Sequence, residues 1–443
     1  RKPSECESTY ACDVNSAQND IEPLNASKVP QRSVPCNPAL SQLAKSQKVL
    51  LLQGPVGSFY DRLTGWLQAG GAEVHRVVFQ GGDEHDCQRL KPIAYRGTLE
   101  AWPAFLETLI AQLGIDCVVL FGQSRSYHAK AIAVALVQKI HVVVLEEGYF
   151  RPGFMTMELG GVNGHSTTMQ HYLWRPVALV QEDCASLVPL DGLQPDISPR
   201  HFQKMAWQAT RHYAAMHQRR ADFPNYIHHR KTNPYKYLAY WLRSWARKLL
   251  KTSADHRFQT QLFQGSRPYY FVPLQHDGDA QITHHSPFSE NTDFIIRVMR
   301  SFAEHAPADA LLVFRQHPQS RGGPGHSAFI FSLATELGMA DRVHHMVEGD
   351  TPDLAEHSAG VVLINSTVGL QALERGAPLM VLGEALFKQP QLTFMGELDD
   401  FWHHARPADK AATVAFLAQM KNLTQASVSL YALRNEPISW RHF

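Results

Sequence analysis

The sequence predicts an α/β protein made of two doubly wound halves joined by a helical stretch. Three observations carry that expectation: fully apolar runs of strand length recur along the chain, helix-length amphipathic segments separate them, and this rhythm stops between about residues 170 and 265 before resuming. At 443 residues the chain has room for two or three domains, each burying its own core. Apolar residues make up 44% and charged residues 19%, the usage of a folded chain.

Taken in order, residues 1–45 are rich in Ser, Asn, Gln, Pro and Asp, show no sustained period, and are expected to form a flexible leader. The first half, residues 46–170, opens with the run Val49-Leu50-Leu51-Leu52 and a break at Gly54-Pro55. Further strands are expected at Glu73–Phe79, Cys117–Gly122 and His141–Leu145, with helices near Phe59–Gln68, Trp102–Leu113 and Tyr127–Gln138. Continuous buried runs spaced by helices imply a parallel sheet. Residues 171–265 lack such runs and read as a helical region full of basic and aromatic side chains. In the second half, residues 266–443, strands are expected at Tyr269–Leu274, Ala310–Phe314, Arg342–Val347, Gly360–Ile364 and Pro378–Leu382. Two Rossmann-like halves facing each other form a cleft at the carboxyl ends of their strands, a GT-B-like architecture shared by glycosyltransferases, some epimerases and binding proteins.

Several classes are excluded. With 42 basic against 41 acidic residues the net charge is +1, so no global field draws the chain to nucleic acid, and no nucleic-acid partner is expected. The strongest apolar runs, Cys117–Phe121 and Gly360–Ile364, are far shorter than the roughly 18–20 residues of a membrane span. No charged segment followed by an apolar core stands near Arg1, so no secretory signal is expected. Six cysteines without a CxxC pair and 24 histidines without HExxH spacing give no metal pattern. Neither a P-loop Lys-Ser/Thr nor a GxGxxG follows a strand, which disfavours ATP hydrolysis and dinucleotide chemistry.

Chemistry is expected where strands end. The run Val362–Ile364 leads through Asn365-Ser366-Thr367 into a helix, so amides, hydroxyls and the helix dipole suit a phosphate there, although the same residues also make an ordinary N-cap. Leu311–Phe314 leads into Arg315-Gln316-His317-Pro318, where His317 is placed to donate to a phosphate or to be fixed by a loop hydrogen bond. Glu146-Glu147 ends a buried run, with Arg151 close by; a base and a capping ion pair are both open readings. Gln275-His276-Asp277-Gly278-Asp279 follows the first strand of the second half, as a carboxylate site or as an Asp-Gly turn. Between Asp222 and Asp255 no acid occurs, whereas Arg243, Arg247 and Lys248 interleave with Trp241 and Trp245. Such a helix suits an anionic lipid surface, or an interdomain contact that snorkels its basic stems.

Together, Leu51–Gly57, Phe79–Asp83, Glu146–Pro152 with Gly160–Ser166, Phe271–Gln275, Arg315–Pro318, Asn365–Leu370 and Gly396–Trp402 resemble the bacterial capsule polysaccharide synthesis and export proteins, in their short form with a single β-Kdo transferase module. The resemblance spans about residues 48 to 435. It implies a GT-B enzyme that moves Kdo from CMP-β-Kdo, with retention, to a phosphatidylglycerol-type acceptor, needing no cofactor. Asp279 of the Gln-xxx-Asp motif begun by Gln275 is implied as the nucleophile, with Asp277 as the competing choice. His317, Asn365, Ser366 and Thr367 would hold the CMP phosphate. Glu146 and Glu147 would supply the acceptor-side base, and Arg151, Gly54, Pro55, His128 and Arg315 would contact substrate. The resemblance also implies a peripheral place on the cytoplasmic face of the inner membrane, beside other capsule synthesis and ABC-export proteins. A non-catalytic glycolipid-binding export protein and another CMP-sugar transferase of sialyl type are the alternatives.

Overall fold

The computed structural model describes residues 37–443 apart from 151–152, 163–165, 168–195, 198–199, 229–233, 277–285, 439 and 441–443, and within helices omits the side chains of residues 202, 234–238 and 241. The first sheet contains β1 (Lys48–Leu51), β2 (Glu73–Val78), β3 (Ile93–Ala94), β4 (Cys117–Phe121), β5 (His141–Glu147) and β6 (Phe154–Leu159). The second contains β7 (Tyr269–Pro273), β8 (Leu311–Arg315), β9 (Val343–Met346), β10 (Gly360–Leu363) and β11 (Leu379–Val381). A last strand, β12 (Gln425–Ser427), returns to the first sheet.

The first sheet runs β12-β6-β5-β4-β1-β2-β3 and the second β11-β10-β7-β8-β9. Strands such as β4, with the sequence CVVLF, are β-branched and apolar on both faces because helices cover both. The covering helices of the first half are α1 (Pro38–Lys45), α2 (Phe59–Ala69), α3 (Gly81–His85), α4 (Trp102–Leu113) and α5 (Ser126–Val137). α4 stops at Gly114, whose φ of +66° suits a residue without a β-carbon, and whose N–H returns to the Ile110 carbonyl. α6 (His201–Gln218) and α7 (Pro234–Gln264) follow, then α8 (Asn291–His305), α9 (Ser327–Glu336), α10 (Thr351–Glu356), α11 (Val368–Glu374), α12 (Leu398–His404) and α13 (Lys410–Thr424). Two Rossmann-type sheets in one chain make the GT-B-like organisation expected from the sequence.

Four expectations change. The sheet of the first half is mixed, because β6 pairs antiparallel with β5 and β12 antiparallel with β6. The expected leader ends early: Asn37 caps α1 through its Oδ1, donates to the Met157 carbonyl at 2.9 Å, and Ala39, Leu40 and Leu43 are buried. The helical region divides between the halves rather than forming a unit. α6 is held to the first half by His212 Nδ1 at 2.7 Å from Asp86 and by Gln208, which accepts from Ser58 N–H at 2.9 Å. α7 is held to the second by Asp255, which accepts from Val347 and Glu348 N–H at 3.0 and 2.9 Å. Finally, the chain beyond α13 leaves the second half, and Ala426, Val428, Leu430 and Trp440 join the core around β1, β4 and β5.

The Gly81-Gly82 pair serves this packing. A β-carbon at Gly82 would stand 2.6 Å from the His212 carbonyl oxygen, and one at Gly81 2.6 Å from that of Ala215. α6 therefore approaches α3 as closely as glycine allows. Gly82→Ala is expected to cost about 1–3 kcal/mol, read as a lower midpoint in urea unfolding, because backbone must move to admit the methyl group. An unchanged midpoint would contradict the packing role.

Candidate active site

In both sheets the strand order reverses next to the first strand, between β1 and β4 in one and between β7 and β10 in the other. A doubly wound sheet takes its ligand at this switch point, beyond the carboxyl ends of the strands. In the second half it is built from residues singled out in the sequence. The Gln275 amide, just past β7, donates to Asn365 Oδ1 at 2.9 Å, and its Oε1 accepts from the Asn365 N–H at 3.4 Å. Asn291, opening α8, donates to the Gln275 carbonyl at 2.9 Å. These bonds hold the ends of β7 and β10 together.

His317 stands past the end of β8, where Pro318 starts a 3-10 turn. Its Nδ1 accepts the Gln319 N–H at 3.1 Å, so the proton of the neutral ring is on Nε2. The His276 ring lies edge-on to it, with centroids 5.9 Å apart. Ser366 Oγ accepts the Val368 N–H at 3.3 Å, which leaves the hydroxyl proton available as a donor. Asn365, Ser366 and Thr367 are all half-exposed. Arg315 ends β8; burial lowers its pKa against the pull of Glu348, and its buried Nε has no hydrogen-bond partner among the described residues. Gln275, His317, Asn365 and Ser366 thus gather at one sheet edge with N–H and O–H donors suited to an anion.

In the first half, β5 continues to Glu147, so Glu146 and Glu147 are strand residues paired with Thr156 and Met155 of β6. Adjacent strand residues face opposite sides of a sheet. The two carboxylates therefore do not form a pair at one site: Glu146 is half-buried and Glu147 exposed. The partner on the Glu146 face is Glu158, which register places opposite Val144 on β6. Glu158 is 1% exposed and accepts from the Tyr149 hydroxyl at 3.2 Å and from the Ser166 hydroxyl. Burial pushes its pKa up to about 8, with the Glu146 charge adding to the rise and the two hydroxyls opposing it. Two acids on one face in different surroundings are the usual basis for separate acid and base roles.

Sequence reasoning missed Glu158. The signal was the stretch Phe154-Met155-Thr156-Met157-Glu158-Leu159, in which the polar Thr156 and Glu158 alternate with apolar residues. The loop beyond β5 packs on the second half: Tyr149, Phe150 and Phe154 share a core with Phe271, Val313 and Leu363, and Lys421 Nζ lies 4.7 Å from the Phe150 ring centroid. The end of β5 is therefore fixed where the halves meet.

The remaining expected residues are distributed as follows. Gln123, which carried no site expectation, bonds both ways to Val162 through its amide, at 2.9 and 3.0 Å. His128, expected to contact substrate, is completely buried, with Nδ1 2.8 Å from the Gly122 carbonyl, which fixes the turn before α5. Pro55 is buried, and the Gly54 carbonyl accepts from Arg125 at 3.3 Å. Gln53 and Gln80 both donate to Asp83, forming a buried network with Tyr226 and His212. Asp277, Asp279 and Arg151 lie outside the described residues, as does the Trp241 side chain. On α7, Arg243, Trp245 and Lys248 are exposed, whereas Arg247 turns inward to donate to the Arg321 carbonyl at 2.7 Å and to that of Gly323. Its expected lipid contact gives way to a tether. No helix among the described residues is long and apolar enough to cross a membrane.

The family model for capsule polysaccharide biosynthesis proteins matches residues 116–431. The chain is 34% identical over 397 residues to the capsule polysaccharide modification protein LipB of Neisseria meningitidis, across 88% of this chain and 93% of that one. It is 33% identical over 400 residues to the capsule polysaccharide export protein KpsS of Escherichia coli, across 89% and 99% of the two chains. Among solved structures it is similar to Thermosulfurimonas dismutans KpsC, beta Kdo 2,7 transferase, with a TM-score of 0.41 and 14% identity over 87% of this chain and 93% of that one.

Proposed function

Since the chain belongs to the capsule polysaccharide biosynthesis family, we propose that it is a retaining glycosyltransferase that moves Kdo from CMP-β-Kdo to a phosphatidylglycerol-type acceptor, beginning a capsule linker at the inner face of the cytoplasmic membrane. The observation that carries this reading is the gathering of Gln275, His317, Asn365 and Ser366 at the switch point of the second sheet, a donor set for a nucleotide phosphate. The first half then takes the acceptor.

In the proposed reaction the Asp279 carboxylate attacks the anomeric carbon of Kdo. The bond from that carbon to the phosphate oxygen breaks, and CMP leaves with its charge met by His317 Nε2–H and the Ser366 and Thr367 hydroxyls. An acceptor hydroxyl then attacks the same carbon, gives its proton to Glu146, and displaces Asp279. Two inversions return the β configuration. No cofactor enters these steps.

The membrane side of the proposal draws on α7. Leu242, Trp245 and Leu249 fall at helical spacing on one face and are 64%, 57% and 70% exposed, with Arg243 and Lys248 beside them. An exposed apolar stripe flanked by cations fits the interface of an anionic bilayer, each basic residue contributing about 1 kcal/mol near the surface.

The test is release of CMP from CMP-Kdo, generated in situ, with phosphatidylglycerol vesicles present or absent, while product mass and vesicle flotation are followed. Lipid-dependent CMP release with a gain of one Kdo, abolished by Asp279→Asn and retained by Asp277→Asn, is expected. Flotation is expected with phosphatidylglycerol but not with phosphatidylcholine, and to be lost in Arg243→Glu/Lys248→Glu. Lipid binding by the folded native chain without any sugar transfer would replace the transferase by a glycolipid-binding export protein; turnover with CMP-sialic acid instead of CMP-Kdo would change the donor.

A further inference from the structure

The turn beyond β4 holds a charge that the proposed reaction leaves unused. Arg125 sits between β4 and α5, and its Nη1 donates to the carbonyl of Gly54, beyond β1, at 3.3 Å. β1 and β4 are the pair at which the first sheet reverses its strand order. Arg125 thus occupies, in the first half, the place that Gln275 and Asn365 occupy in the second.

Its surroundings do not satisfy it. A guanidinium has five N–H donors, and this long bond to a neutral oxygen is its only hydrogen bond within the described protein. No carboxylate among the described residues forms an ion pair with it. Asp83 acts on it electrostatically, but the Asp83 oxygens already accept from the Gln53 and Gln80 amides and the Phe79 N–H. The other neighbours are aromatic. The Phe121 ring centroid lies 5.6 Å from Arg125 Cζ, and the phenols of Tyr60, Tyr213 and Tyr226 are its remaining electrostatic partners. The Tyr60 hydroxyl is itself completely buried and without a hydrogen-bond partner among the described residues.

Burial works against the charge, lowering the pKa of the group. A half-exposed cation whose only hydrogen bond among the described residues goes to a neutral carbonyl is open to an anion from outside. Space is kept for both side chains: a β-carbon at Gly122 would stand 3.2 Å from Arg125 Nε, and one at Gly54 2.8 Å from the Tyr60 ring. The planar fork of an arginine pairs best with a group offering two adjacent oxygens.

We infer that Arg125 is the anion-binding residue of the first switch point and takes the phosphodiester of the lipid acceptor between the ends of β1 and β4. Its assignment to the acceptor rests on the reading of the first half as the acceptor side; a CMP-sugar also carries a phosphodiester, so the test separates the two.

The full-length native chain, Arg125→Lys and Arg125→Gln are titrated calorimetrically with glycerophosphoglycerol, the soluble phosphodiester headgroup, and separately with CMP, and their thermal unfolding is recorded. Arg125→Gln is expected to weaken headgroup binding about 10–100-fold, with a smaller loss for Arg125→Lys, while CMP affinity stays unchanged. Its unfolding midpoint should stay close to that of the native chain, because among the described residues only one long hydrogen bond of a half-exposed side chain is lost. Unchanged headgroup affinity in the folded variants overturns the inference. So does failure of the native chain to bind the headgroup up to its solubility limit, or a loss confined to CMP. A lowered midpoint with affinity retained makes Arg125 a holder of the turn and overturns it too. Arg125-dependent headgroup binding stands even if no sugar is ever transferred, whereas Kdo transfer with an unaltered KM for phosphatidylglycerol in Arg125→Gln removes this site and leaves the transferase.

Discussion

His317→Ala is expected to lower kcat/KM for CMP-Kdo by about 10²–10³-fold, read as steady-state CMP release. The reason is positional. The Gln319 N–H occupies Nδ1, so the ring keeps its proton on Nε2 without needing to be charged, in a turn that Pro318 fixes. In the proposed reaction this donor meets the departing phosphate, and a turn that is already fixed needs little reorganisation when charge develops there. The loss should fall mainly on kcat, because the interaction strengthens as CMP leaves. A change of less than about threefold would reduce His317 to a turn-holding residue, the other reading its sequence allowed.

Glu146→Gln is expected to cost about 10²–10⁴ in kcat, the range for a lost general base. Glu158→Gln should act differently, since the amide imitates the protonated acid and removes only its ability to ionise. The Glu158 pKa of about 8 stands above its ordinary value of 4.5. The folded chain therefore keeps a proton that the unfolded chain releases between those values. Stability from this group is fully present below about pH 4.5 and is lost as the pH rises through 8. Native unfolding midpoints should fall from pH 5 to pH 9 relative to Glu158→Gln by a few degrees. The rate profile of the variant should also lack the change near pH 8 that ionisation beside Glu146 brings. Parallel stability curves for the two proteins would remove Glu158 from this role.

What the sequence made legible follows from how each element meets water. β1, β4, β7, β8 and β10 are buried on both faces and read as plain apolar runs, and the carboxyl ends of β7, β8 and β10 pointed directly to Gln275, His317 and Asn365. β6 escaped because Thr156 and Glu158 break its apolar run, and their burial depends on Tyr149, Ser166 and Gln425, which arrive from elsewhere. β12 is too short to announce itself, and nothing in its three residues tells which sheet it joins. Adjacent acids look like a pair on paper. Once strand β5 is known to include Glu147, its alternation separates them and brings Glu158 to Glu146. The packing role of Gly81-Gly82 was hidden for a related reason, since a glycine needed for close helix contact and one needed for a ligand look alike in a sequence.

The return of β12 to the first sheet also sets a timetable for folding. Thr156 on β6 and Gln425 on β12, which bond to each other, are 269 residues apart, so the ribosome needs about 13–54 s to deliver the second after the first at about 5–20 residues per second. Throughout that interval the nascent chain presents the β6 edge with its backbone donors and acceptors uncovered, the kind of edge that recruits other strands. The first half is translated early yet completed last, and holding that edge is a task for whatever escorts the chain off the ribosome.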